Sequence, residues 1–89
     1  MKELIMFMLP TCPHCQLAFK CQDELMAENP EYKENISIRM VNEEEWPEDL
    51  TGNFDYYYVP TYFYNGEKLF EGHVEKEDVE AVFKKVLEA

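Results

Sequence analysis

The sequence lacks a long apolar run: the stretch Leu4 to Leu9 in MKELIMFML is bracketed by Glu3 and Pro10. Such a segment is too short for a signal-peptide core or a membrane span, so a mature cytoplasmic protein is expected. Positive charge is scarce as well, with 8 Lys and Arg against 19 Asp and Glu. A formal net charge of -11 repels phosphates, which argues against nucleic acid and anionic membrane surfaces as partners. Solubility is the simplest use of that charge. The three cysteines are an odd count and too few for a disulfide framework. Two of them, however, are a close pair, and in a reducing compartment such a pair points to redox or metal chemistry. Repeats, low-complexity stretches and breaks in composition are all absent from the 89 residues, so one domain spanning 1–89 is expected.

What is present is ample material for a core, with 46% hydrophobic and 15% aromatic residues. Leu4 to Leu9 reads as a strand buried on both faces. From Pro13, the apolar residues Leu17, Ala18, Cys21 and Leu25 recur at helical spacing, and Asn29 before Pro30 ends the pattern, giving a helix over about 13–28. NISIRMVN, with its β-branched residues, reads as a second strand, parallel to the first through a right-handed βαβ crossover. Trp46, Leu50 and Phe54, spaced by four, suggest a short helix starting near Pro47, weakened by Gly52. PTYFY, Asn65-Gly66 and EKLFEG form a hairpin with a type I′ turn. KEDVEAVFKKVLEA places Val79, Val82, Phe83, Val86 and Leu87 on one face of a closing helix.

The chemistry concentrates in MLPTCPHCQLAF. Cys12 falls at the N-cap of the first helix, where unpaired backbone N–H groups and the positive end of the helix dipole stabilise a thiolate. Pro13 suits the first helical position because it has no N–H to leave unpaired. Cys15, one turn on and facing inward, suits a resolving thiol. His14, between the two cysteines, is a candidate tuner: a hydrogen bond or positive charge given to the thiolate would stabilise the reduced form and make the disulfide more oxidising. A plain solvated His14 is the alternative. Zinc is the rival explanation of the pair, but a closed site needs four ligands, and only Cys21, His14 and the distant His73 remain. Cys21 lies on the apolar helical face and reads as a small buried hydrophobe.

Small size, a first strand running into CPHC at a helix start, and a downstream VPTYFYNGEKLFEG hairpin with a closing helix resemble the thioredoxin superfamily, over nearly the whole chain. In length the chain is similar to the glutaredoxins. The resemblance implies an α/β thioredoxin fold, βαβ-α-ββα with a four-stranded mixed sheet and helices packed on its faces. It also implies a cis peptide bond before Pro60 and a substrate groove of Val59 and Pro60, with Tyr58 and Thr11 beside it. Of the run Tyr56, Tyr57 and Tyr58, one or two are expected to pack against Trp46 and Phe54. CPHC itself resembles the strongly oxidising members of the superfamily.

The departures are equally definite. Typical thioredoxins carry Trp before the first cysteine and a buried acid with a nearby lysine beneath the dithiol, whereas Thr11, Met6 and Met40 stand at those places here. Glutaredoxins carry a basic residue before the motif and a Gly-Gly-x-Asp-like turn. Met8, Leu9 and Pro10 precede the motif here, and EGHVEKED has Gly72, Glu77 and Asp78 without paired glycines. Asp78 could meet the amine of glutathione or simply cap the last helix. The resulting expectation is a monomeric dithiol-disulfide oxidoreductase without bound cofactor. Its partners would be protein or low-molecular-weight disulfides and a thiol or reductase electron donor. A glutathione-using glutaredoxin, or a redox-sensing or soft-metal module, are the alternatives.

Overall fold

The structure is a computed structural model and describes residues 1–50, 52 and 54–89. Four strands form one mixed sheet, β1 (Lys2–Met8), β2 (Ile36–Asn42), β3 (Thr61–Tyr64) and β4 (Glu67–Glu71), and three helices are present among the described residues, α1 (Pro13–Glu28), α2 (Pro30–Asn35) and α3 (Lys76–Glu88). The strand order is β2-β1-β3-β4. β1 runs parallel to β2, from Lys2 opposite Ile36 to Met8 opposite Asn42, and antiparallel to β3, with Phe7 opposite Thr61. Consequently the end of β1, the end of β2 and the start of β3 lie at one end of the sheet. β4 joins them there through Thr61 opposite Glu71.

β1 is buried on both sides because its alternate residues serve two different cores. Leu4 and Met6 face a cluster built by α1, α2 and α3, with Ala18, Cys21, Leu25, Tyr32, Val79, Val82, Phe83 and Val86, while Phe7 faces a second, smaller cluster with Val41 and Phe63. Tyr32 docks α2 on α3, its ring 5.2 Å from that of Phe83 and its hydroxyl donating to Glu80 Oε2 at 2.9 Å. Inside the first core, Gln22 Nε2 donates to the Tyr62 hydroxyl at 2.6 Å and approaches Met6 Sδ at 3.0 Å, so its amide is not left bare.

The hairpin turns at Asn65 and Gly66, with φ of 51° and 80°, the pair of left-handed residues that a type I′ turn needs. One expectation is extended and one requires correction. The pause at Asn29-Pro30 does end α1, but it also starts α2: the Asn29 side chain accepts from Glu31 N–H at 3.2 Å and Pro30 takes the first helical position. A helix near Pro47 does not form over 46–50. There the chain makes one turn, Leu50 N–H to Pro47 O at 3.2 Å, and Gly52 has a φ of 126°, outside the helical region. Positions 51 and 53 of that expected helix lie outside the described residues. The spacing of Trp46 and Phe54 serves a strand instead. Both rings lie on Phe7, at 4.8 and 5.0 Å between centroids, and Tyr56 joins them at 4.9 Å. The second helix therefore precedes β2 rather than following it, and among the described residues no helix joins β2 to β3. No described helix is long and apolar enough to cross a membrane.

Candidate functional site

The end of β1 feeds a tight bend that delivers the cysteine pair. Cys12 N–H donates to Leu9 O at 3.1 Å, Thr11 sits exposed in the turn, and Gln16 braces it with Nε2 to Pro10 O at 3.2 Å. Cys12 is the N-cap of α1, with extended backbone (φ -77°, ψ 124°), and Pro13 begins the helix. All three cysteines are free thiols.

The two thiols of the motif differ sharply. Cys12 is partly exposed, and the backbone N–H groups of Cys15, chiefly, and of His14 hold its pKa below the ordinary thiol value, although its sulfur makes no geometric cap hydrogen bond to the helix. These are the unpaired donors of the helix start. Cys15 is fully buried, and burial pushes its pKa up to about 11 despite the Leu9 N–H lying 3.5 Å from its sulfur. The charge of Cys12 raises it further. Cys21 is buried in the first core at 4% exposure, and its pKa is also raised by burial.

Opposite the bend, the Val59-Pro60 peptide bond is cis. Pro60 is buried, Val59 half-buried, and Thr61 Oγ1 donates to Tyr58 O. Of the three tyrosines, Tyr56 packs on Phe7, whereas Tyr57 and Tyr58 are 86% and 70% exposed. Their backbone is held from β4, where Glu71 accepts from both N–H groups, at 2.9 Å from Tyr58, while its other oxygen pairs with Lys68 at 2.7 Å. Lys68 first, then the two N–H groups, hold the Glu71 carboxyl down at about 2.

Three further residues belong to this end of the molecule; of them a reading of the sequence names only His73, and as a distant residue. Glu43 follows β2 and donates its N–H to Met8 O at 3.0 Å; its carboxylate accepts from the Tyr56 hydroxyl at 3.0 Å, and its charge disfavours the thiolate at both Cys12 and Cys15. Met6, aligned with the buried acid, is fully buried, while Met40, aligned with the lysine on the next strand, is 52% exposed opposite it in the β1/β2 register. His73 and Glu75 are the other two. Gly72 N–H donates to Pro60 O at 2.9 Å, which brings the next residue, His73, across to α1, where its Nδ1 lies 2.8 Å from His14 Nδ1. Counting outward from Asn65-Gly66 brings the end of β4 back towards Pro60, and the register shift at Tyr62 and Phe63 makes the residue beside Pro60 Gly72 rather than Glu71. Asp78 is occupied as a cap, accepting from Glu75 N–H at 2.9 Å. Among the described residues, no three His, Cys, Asp or Glu side chains converge as a group that could hold a metal ion.

In comparison with known proteins, no family model and no curated protein matches this chain. The described residues form a small α/β architecture, a four-stranded mixed sheet with three helices, compatible with a thioredoxin-like fold and carrying Cys12 and Cys15 one turn apart at a helix start.

Proposed function

We propose that this chain is a thiol-disulfide oxidoreductase of the thioredoxin-like kind, acting on protein or small-molecule disulfides. The observation that carries the reading is the asymmetry of the pair: Cys12 partly exposed and easier to ionise, Cys15 buried and harder to ionise. Disulfide exchange needs that division, since the attacking group must be a thiolate at neutral pH while the resolving group must wait.

In the proposed reaction the Cys12 thiolate attacks one sulfur of a substrate disulfide. A Cys12–substrate disulfide forms, and the other substrate sulfur leaves as a thiolate that takes up a proton. Bonding at Cys12 removes the negative charge that disfavours ionisation of Cys15. Cys15 then loses its proton and attacks Cys12 Sγ. The Cys12–Cys15 disulfide forms, the second substrate sulfur leaves as a thiolate that is protonated from solvent, and two electrons have passed to the substrate. An external dithiol, or two monothiols, returns the pair to its reduced state; in reverse, the same steps donate a disulfide. The cis Val59-Pro60 segment and Tyr58 border the end of the sheet where the dithiol lies and are assigned to the substrate groove, with Thr11 on the bend side. Exchange that consumes thiols suits a reducing compartment such as the cytoplasm.

Cys15→Ser tests the reading. With a disulfide substrate it is expected to accumulate a mixed disulfide at Cys12, detected by intact mass and released by dithiothreitol. Absence of any adduct would remove the assignment. In the same variant, alkylation of Cys12 by iodoacetamide should persist below the pH at which an ordinary thiol stops reacting. Because its pKa is lowered, reactivity is lost only as pH falls through that lower value.

A further inference from the structure

The imidazole of His14 does not stand alone in solvent. Its Nδ1 lies 2.8 Å from His73 Nδ1, with the two rings at 84° and 4.9 Å between centroids, and His73 Nε2 lies 2.9 Å from Glu75 Oε1. Three elements therefore meet in one line: the first turn of α1, the strap after β4, and the N-cap of α3. We propose that His73 and Glu75 are positioning residues for the dithiol, a carboxylate–imidazole–imidazole line that fixes the ring of His14 and decides which of its nitrogens carries the proton. The proposal rests on the reading of Cys12 and Cys15 as an exchanging pair.

Proton counting shows what the line does. A carboxylate only accepts, so the bond to Glu75 requires a proton on His73 Nε2. Between two Nδ1 atoms at hydrogen-bond distance there is room for one proton, so one ring donates and the other accepts. When the pair is uncharged, His73 keeps a lone pair on Nδ1, His14 donates from Nδ1, and His14 Nε2 is left as an acceptor. When the pair carries one positive charge, two arrangements exist. Either His14 is the imidazolium, or His73 is the imidazolium and His14 is the Nε2–H tautomer. In both, His14 Nε2 bears a proton and can donate towards a thiolate, while Glu75 balances the charge.

The line therefore holds the ring of His14, the residue between the two cysteines in sequence, with Nε2 a donor when the pair is charged. A donor of that kind stabilises the thiolate and hence the reduced form, which makes the disulfide more oxidising. His73 is 46% and Glu75 58% exposed at the side chain, so water screens the interaction and the effect on the couple is moderate rather than decisive.

Two measurements on the full chain test this. Long-range proton–nitrogen correlation spectra of the uniformly nitrogen-15-labelled, reduced protein report which nitrogen of each ring is protonated. In wild type, His14 and His73 are expected to show a shared, tautomer-biased pattern; in His73→Ala, His14 should revert to the averaged pattern of a free imidazole. The second measurement is the equilibrium of the oxidised protein with two glutathione molecules, giving the dithiol and glutathione disulfide. Its constant should fall at least threefold in His73→Ala, about 14 mV for a two-electron couple, with a smaller fall in the same direction in Glu75→Gln. An unchanged His14 tautomer, or an unchanged constant in both variants, overturns the proposal. If wild type forms no reversible Cys12–Cys15 disulfide, the functional reading fails separately, and the nitrogen spectra alone decide whether His73 holds His14.

Discussion

The two faces of the sheet are built on different plans. On one, α1, α2 and α3 cover Leu4, Met6 and Tyr62 with regular helices whose apolar stripes interlock. On the other, Phe7, Val41 and Phe63 are covered by the 46–59 segment, which has no helix among its described residues and relies on Trp46 and Tyr56 stacked on Phe7 and Phe54 tilted against it. The first face carries the cysteines and the second leads into Tyr58, Val59 and Pro60. The proposed site is the seam between them. A helix start gives fixed N–H donors to Cys12, whereas an irregular segment pinned at a few points can present exposed side chains without a full core beneath them.

The largest break in the comparison is expected on the helical face. Phe83→Ala removes a fully buried ring that also seats Tyr32, and should cost about 3–5 kcal/mol in denaturant unfolding, lowering α2 and α3 together. A loss well under that range would mean that the helical face is not the stability reservoir. Trp46→Ala acts on the other face. Trp46 is 43% exposed and stacked on one side only, so a smaller cost of about 1 kcal/mol is expected, with faster amide exchange confined to 43–60. Exchange that rises equally in α1 would show the two faces to be one cooperative unit.

The smallest effect is expected from Glu71→Gln, which weakens the tether of Tyr57 and Tyr58 and the pairing with Lys68. Those two amides should exchange faster while the unfolding midpoint barely moves. In wild type the pH dependence has a definite sign. Because the folded pKa of Glu71 is depressed, the tether contributes above the ordinary carboxylate pKa and is lost only as pH falls towards about 2. Loss of protection at Tyr57 and Tyr58 already near pH 4 would contradict it.

Much of this was legible in residues 1–42 and 61–89. Periodicity marks α1 because its apolar positions recur every three or four residues, and Asn65-Gly66 marks the hairpin because few other pairs accept two positive φ angles. α2 was hidden by Pro30, a residue that both stops one helix and starts the next. Trp46, Leu50 and Phe54 mimic a helical stripe, yet their partner is a strand residue, Phe7, and spacing alone cannot distinguish an aromatic cluster from a helix face.

At the site, the sequence by itself determined where a thiolate is favoured. A cysteine followed by proline and three residues later by a second cysteine, after a buried strand, places local backbone donors at Cys12, and those effects need no distant partner. The contacts made across the chain were decided by the tertiary structure alone. Glu43 bears on both sulfurs because β2 runs parallel to β1 and ends beside Met8, and His73 reaches His14 because the hairpin returns beside Pro60. Helix starts are written in consecutive residues, whereas charges and hydrogen bonds between elements depend on sheet register, which exists only once the strands have paired.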